Sequence, residues 1–402
     1  MASICLYFQV HQPLRIKKYR VFDIGHDHEY FNDASDTRLN NKKVLAKVSE
    51  KSYLPTNKIL YDLLKKIPEF KISYSFSGIV LEQLARDFPE VLDSFRKLVD
   101  TGRVEILSET YYHSLAFFYS KPEFERQVKR HKEIVMRVLD VEPSVFRNTE
   151  LAYNNDLANW AEKAGYKAIL AEGWDSFLGW RSPNFIYRPK GTKKIALLLK
   201  NYKLSDDIAF RFSEKTWREW PLTAEKFASW VSAINGNGEL VNLFMDYETF
   251  GEHQWEDKGI FDFLKRMPYE LLKHPDNNFV TPTEAVKRYD AKDEIDVPYI
   301  VTWADTERDL SAWNGNEIQK SAIDFIYKLE EKVLATKDEK LIEDWRKLQI
   351  SDHFYYMCTK WFADGDVHKY FNPYDSPYDA FISYMNVVTD LKLRIRAGSQ
   401  SS

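Results

Sequence analysis

A chain of 402 residues with 44% hydrophobic and 29% charged residues holds enough apolar material for one large α/β domain and a smaller companion, which excludes an intrinsically disordered protein. Its 57 Lys and Arg and 61 Asp and Glu leave a net charge of -4 with no long block of either sign, so there is no electrostatic case for nucleic acid or an anionic membrane as partner. No stretch approaches the roughly 18 consecutive apolar residues of a membrane-spanning helix.

The run Ile4-Cys5-Leu6-Tyr7-Phe8 reads as a first strand. It carries neither the basic region nor the cleavage site of a secretory leader, and leads straight into His11-Gln12-Pro13. After Thr56-Asn57, the positions Ile59, Leu60, Leu63, Leu64 and Ile67 recur at helical spacing, and the alternating stretch 71–76 follows as a strand. Val91, Leu92, Phe95, Leu98 and Val99 repeat the helical face, Gly102 occupies the C-terminal cap position, and 103–107 is the next strand, closed by Glu109. A helix through Phe124, Val128, Ile134, Val135, Val138 and Leu139 precedes strand 144–148, which runs into Glu150. Asp156 is placed as the cap of a helix through Leu157, Trp160, Ala161 and Ala164; Gly165 ends it, and strand 167–171 delivers Glu172. Thr223 caps Phe227, Trp230, Val231 and Ile234, Gly236 and Gly238 close that helix, and strand 240–245 delivers Asp246. The segment 299–303 reads as a last strand, ending at Asp305.

Strands alternating with helices imply parallel pairing, and short continuous apolar runs imply strands covered on both faces. Acids or His residues fall repeatedly just after a strand, where the loops of a β/α barrel converge on its catalytic face. The count predicts an incomplete, roughly seven-stranded parallel β/α barrel over residues 1–315. Residues 316–396 lose this rhythm and show helical spacing at Ile323, Ile326, Leu329 and Val333 and at Phe381, Met385, Val388 and Leu391, which predicts a C-terminal helical region; 397–402 read as a disordered tail. Segments 17–51 and 174–217 yield no reading. Cys5 and Cys358 are the only cysteines, one near each end, which points to a reducing, cytoplasmic compartment rather than a disulfide framework.

Aromatic content is high at 15%, with 11 Trp, 24 Tyr and 26 Phe, and flat rings with polar edges suit sugar rings as well as a core. Five segments concentrate groups able to do chemistry. His11-Gln12-Pro13 ends the first strand, and Glu105 and Glu109 flank the end of the third, with Thr110-Tyr111-Tyr112-His113 behind them. In Phe146-Arg147-Asn148-Thr149-Glu150, the Arg and Asn are suited to hold the carboxylate ionised and aimed. Asp246-Tyr247-Glu248-Thr249-Phe250-Gly251-Glu252-His253 packs three acids and a His after an apolar strand, and 303–315 mixes Asp305, Glu307 and Asp309 with Trp303 and Trp313. A carboxylate pair can hydrolyse a glycosidic bond without a metal. A metal hydrolase would need His and Asp at ligand spacing, and His26-Asp27-His28 lies far from any strand end.

In order and spacing these segments resemble the five sequence regions of glycoside hydrolase family 57; Asp246 to His253 and Trp303 to Trp313 carry the most specific match. The resemblance implies an incomplete seven-stranded barrel with a C-terminal helical region, retaining cleavage of α-glucosidic bonds, and no metal or cofactor in catalysis. By motif position it implies Glu150 as nucleophile and Asp246 as general acid/base, with His11, Gln12 and Glu105 holding the reacting sugar. It extends the substrate-binding set to His113, Glu248, His253, Trp303, Asp309 and Trp313. Asn148-Thr149-Glu150-Leu151, with Tyr247 after the acid, is similar to the α-amylase branch; glucanotransferases and branching enzymes commonly carry Glu-Arg-Val-Trp and Asp-Gly-Glu there. The expected partner is an α-glucan such as starch, glycogen or maltodextrin. A 4-α-glucanotransferase or branching enzyme is the alternative within this chemistry; a metal-dependent carbohydrate deacetylase or mannosidase, or an inactive glucan-binding relative, lies outside it.

Overall fold

The computed structural model describes residues 2–31, 33–361 and 367–400. Its strands are β1 (Ser3–Val10), β2 (Ile72–Phe76), β3 (Val104–Leu107), β4 (Val145–Arg147), β5 (Ala168–Glu172), β6 (Arg188–Pro189), β7 (Ala196–Lys200), β8 (Leu240–Asp246), β9 (Asn278–Phe279) and β10 (Glu294–Ile295). Seven run in the order β3-β2-β1-β8-β7-β5-β4, each pair parallel, as a nearly closed barrel. β9 adds to the start of β1, and β6 pairs with β10 apart from the barrel.

The ring is drawn together by Ser108, just past β3. Its N–H donates to the Val145 carbonyl at 2.9 Å, and its own carbonyl accepts from Arg147 N–H at 2.9 Å. A second thin seam joins β7 to β8 through one paired position, Lys200 with Asn242, reinforced by the Asn242 amide on the Leu199 carbonyl at 2.8 Å. Every residue of β1, β2, β5 and β7 is buried, as expected of strands with helices outside and filled side-chain layers inside. Cys5, Tyr7, Val145, Leu170, Leu198 and Phe244 belong to one buried cluster within it.

The expected helices are present as Leu54–Lys66, Pro89–Val99, Lys121–Leu139, Asn155–Lys163 and Ala224–Ser232. Thr223 caps the last, its side chain accepting from Lys226 N–H. Three expectations are corrected. Asn154, not Asp156, caps the fourth helix, accepting from Leu157 N–H, so Asp156 lies in the first turn. The segment 299–303 is no barrel strand; Val301 forms an isolated antiparallel bridge with Tyr153 instead. The strand missing from the sequence reading is β7, whose short apolar run lies within the unread stretch 174–217.

The chain divides into two units. The first, Met1–His11, Ala46–Glu109 and Arg130–Trp303, contains the whole barrel. The second gathers Gln12–Leu45, Thr110–Lys129 and Ala304–Ser402. It is helical in its C-terminal part, from Glu317–Tyr327 to the long Pro377–Gln400. The tail expected at 397–402 passes outside the described residues at 401 and 402. Within this unit Asp390, fully buried, accepts from Tyr30 Oη, from His28 Nδ1 at 2.8 Å and from Gly25 N–H at 2.6 Å, tying the 12–45 segment to the last helix. Among the described residues no helix is long and apolar enough to cross a membrane.

Candidate active site

At the C-terminal end of β4 the chain turns sharply through Thr149–Leu151. Glu150 and Leu151 both adopt left-handed backbone, with φ of 60° and 51°. Such geometry costs of order 1–3 kcal/mol per non-glycine residue and persists only where its surroundings enforce it. Here Leu151 N–H donates to the Asn148 carbonyl and Ala152 N–H to that of Thr149, each at 3.0 Å, while Asn148 Nδ2 donates to the Ala152 carbonyl at 2.9 Å. The side-chain amide of Asn148 therefore braces the turn.

Trp303 holds the Glu150 carboxylate, its Nε1 donating to Oε2 at 2.9 Å. The Trp303 main-chain N–H also reaches the Glu150 carbonyl at 3.3 Å, and the Tyr153–Val301 bridge continues this zipper. The expected grip of Arg147 and Asn148 on Glu150 is corrected accordingly. Arg147 instead stacks over the Trp303 ring, 5.0 Å from its centroid, and Lys200 from the end of β7 lies 5.5 Å from it. The Lys200 ammonium is matched by Asp206 at 3.0 Å and Glu172 at 3.5 Å.

Asp246 ends β8, half-buried and in register with Gln9 of β1. The following residue, Tyr247, is wholly buried among Phe8, Tyr53, Tyr74 and Phe95, and its hydroxyl bonds Asn57. Four residues on, Gly251 has φ of 106°, and a Cβ there would lie 2.0 Å from the Lys51 carbonyl oxygen. Packing thus anchors the backbone on the loop side of Asp246.

Beneath these acids a polar chain runs through the barrel. Tyr7 Oη donates to Gln9 Oε1 at 3.0 Å and contacts Ser75 Oγ at 2.6 Å, and Gln9 Nε2 donates to Glu109 Oε1 at 2.9 Å. Burial is the main cause raising the Tyr7 phenol far above its usual range; Arg147 opposes this, and Glu109 and Asp246 add to it, so all three charges act on one hydroxyl. His131 Nδ1 accepts from Glu109 N–H at 3.4 Å while its Nε2 donates to the Phe76 carbonyl at 2.7 Å. Both bonds fit the neutral ring, and burial lowers its pKa.

Of the other expected site residues in the first unit, His11 sits just past β1 with Nδ1 2.7 Å from Ser77 Oγ. Glu248 is buried and accepts from Tyr53 Oη. The half-buried His253 donates its N–H to the Glu248 carbonyl at 2.9 Å; desolvation first, then Lys47, depresses its imidazole to about 4. Glu105 lies near the start of β3. Its carboxylate accepts from Thr283 N–H at 2.9 Å and from Thr283 Oγ1, in the first turn of Pro282–Arg288. Glu109, which the sequence placed with Glu105 at the end of the third strand without a binding role, is the fully buried acid that the polar chain reaches.

Gln12, His113, Asp309 and Trp313 belong to the second unit. There Gln12 Oε1 accepts from Arg15 at 3.2 Å, and the buried His113, with φ of 49°, gives its carbonyl to Ser351 N–H at 2.9 Å. Asp309 Oδ1 accepts from Ser311 N–H at 2.8 Å, and Trp313 is buried with its ring 6.0 Å from that of Tyr355.

The sequence model described as Glycosyl hydrolase family 57 matches residues 5–298. The chain is 41% identical over 406 residues to a Methanocaldococcus jannaschii protein carrying a provisional alpha-amylase name, covering 98% of this chain and 85% of that one. It is 22% identical to the alpha-amylase of Pyrococcus abyssi over 72% of this chain, and spans 42% of that longer relative. Among solved structures, the family 57-type branching enzyme of Pyrococcus horikoshii shares its fold, with a TM-score of 0.70 at 16% identity over 92% of this chain and 87% of that one.

Proposed function

The chain belongs to glycosyl hydrolase family 57, and from that premise we propose that it hydrolyses α-glucosidic bonds in α-glucans with retention of configuration, Glu150 acting as nucleophile and Asp246 as general acid/base. The observation that carries this reading is the hold of Trp303 on Glu150: an indole N–H donor favours the ionised carboxylate, the form that attacks.

In the first step a Glu150 oxygen bonds the anomeric carbon while the glycosidic bond breaks and Asp246 passes its proton to the departing sugar oxygen. In the second, Asp246 takes a proton from water as the water oxygen attacks that carbon and releases Glu150. Two inversions leave the α configuration. Such chemistry asks for carboxyl groups about 5 Å apart. Hydrolysis and transfer share the glycosyl-enzyme and differ in whether water or a sugar hydroxyl accepts it. The hydrolytic reading follows the amylase-like motif at Glu150 and the amylase-named relatives.

Sugar contacts fall, in this reading, to His11 and Trp303 beside the catalytic strand ends, with Glu248 and His253 shaping the loop after Asp246. Gln12, His113, Asp309 and Trp313 keep their proposed binding roles on the motif resemblance. A cytoplasmic location is part of the same reading, supported by two buried, unpaired cysteines. The test is the first product formed from maltoheptaose, followed by NMR: an α-anomer supports retention, a β-anomer refutes it, and oligosaccharides longer than the substrate would make transfer the main reaction.

A further inference from the structure

Arg147 ends β4 with its side chain wholly buried, and among the described residues none of its three guanidinium nitrogens has a hydrogen-bond partner. A buried cation with unspent donors is costly, so fold stability alone gives no reason for it. What it has is the face of Trp303, 5.0 Å away, and the indole N–H of that ring is the donor on Glu150 at 2.9 Å. Lys200 approaches the same ring, yet its charge is already answered by Asp206 and Glu172. The Arg147 charge lacks such a bonded counter-ion.

We infer that Arg147 is a positioning residue that keeps Glu150 ionised by acting through Trp303. This rests on the reading of Glu150 as nucleophile. Two effects add. The guanidinium charge, one ring away, favours the carboxylate over the acid. Drawing on the ring's π electrons, it also makes the indole N–H a stronger donor to that carboxylate. A direct Arg–carboxylate fork would engage both oxygens and pin the attacking group. Through the indole, the charge is stabilised by a donor on Oε2 without that fork.

Other ionisable groups are linked to this region from the neighbouring strands: Tyr7 on β1 interacts with Arg147, Glu109 and Asp246, and Lys200 at the end of β7, beside the Trp303 ring, pairs with Glu172 and Asp206. Glu150 and Asp246 are both proposed to act in the reaction, so a rate profile alone would mix the two. The Trp303 indole N–H separates them, because it is bonded to Glu150.

The experiment labels the enzyme with 15N at its indoles, assigns the Trp303 resonance by its loss in Trp303→Phe, and titrates it with pH. In the wild type the resonance follows one low midpoint, which disappears in Glu150→Gln. Arg147→Gln raises that midpoint by about one pH unit and moves the acid limb of kcat/KM with it, and Arg147→Lys, which returns the charge, recovers most of the shift. Equal midpoints in wild type and Arg147→Gln overturn the inference. Should that variant not fold, Arg147→Met is titrated the same way, and Trp303→Phe, which keeps the ring but not the donor, must raise the acid limb; an unmoved limb overturns it too. Activity surviving in Glu150→Gln sinks the nucleophile reading instead.

Discussion

Trp303 grips Glu150 at both ends of the residue, with its indole nitrogen 2.9 Å from the carboxylate and its main-chain nitrogen 3.3 Å from the carbonyl. Two successive left-handed residues would otherwise leave this turn free to relax, and with it the direction of the carboxylate. A side chain supplied from 153 positions further along the chain thus contributes to both the orientation and the charge of the proposed nucleophile.

If Glu150 and Asp246 divide the chemistry as proposed, their amide variants fail differently. Glu150→Gln loses about four orders of magnitude or more in kcat, since no glycosyl-enzyme forms. Asp246→Asn loses about 10²–10⁴-fold in kcat/KM on maltooligosaccharides and far less in kcat/KM on an aryl glucoside whose leaving group needs no proton. Steady-state kinetics on both substrates decide; equal losses on both in Asp246→Asn would remove it from the acid role.

Glu105 and Glu109 are separated by stability as well as by rate. Glu105→Ala leaves Thr283 N–H, in the first turn of Pro282–Arg288, without the carboxylate it donates to and costs about 1 kcal/mol in urea unfolding. An unchanged midpoint with a raised KM would instead support the sugar-binding role that the motif resemblance gives Glu105. Glu109→Gln, which strips the charge that Gln9 meets, lowers kcat by at least about tenfold if this acid serves the site.

Gly251→Ala places a methyl group 2.0 Å from the Lys51 carbonyl oxygen at a φ of 106°. The loop after Asp246 cannot keep its path, and stability falls by about 2 kcal/mol or more. A melting temperature within a degree of wild type would show that this backbone is not as tightly set as its packing implies.

In the second unit two histidines set opposite edges to stability. Burial holds His353 neutral, its pKa lowered to about 4, so its contribution is present above the ordinary imidazole range and drains as pH falls from about 6.5 towards 4. Burial also pulls His368 down, but its bond to Asp305 and the nearby Cys358 outweigh this and push it up to about 9. That contribution is complete below about 6.5 and is lost as pH rises through 9. Melting curves against pH check both: His368→Asn destabilises most near pH 6 and least above 9, and a deficit that does not vary with pH contradicts the assignment.

Local signals made most of the barrel legible. Helical faces, capping residues and buried strand runs are properties of a dozen residues at a time, which is why the helix and strand rhythm, six of the seven barrel strands and the acids beyond them could be read directly. β7 escaped because five apolar residues flanked by lysines look the same in a loop, and only pairing with β5 makes them a strand. The 299–303 run erred the other way, since its backbone partner is Tyr153 and not a barrel strand.

The sequence by itself determined that carboxylates crowd the strand ends of a parallel barrel and, through motif resemblance, which two should react. Only the tertiary structure decided what each acid touches. Glu105 and Glu109 stand four residues apart on one strand run, yet one meets a helix start and the other Gln9, because helix and barrel register bring different partners to each end. In the same way Arg147 is adjacent in sequence to the turn that carries Glu150, but an indole comes between them. Desolvation and hydrogen bonding depend on neighbours in space, and those neighbours are joined to the site by closure of the chain rather than by proximity along it.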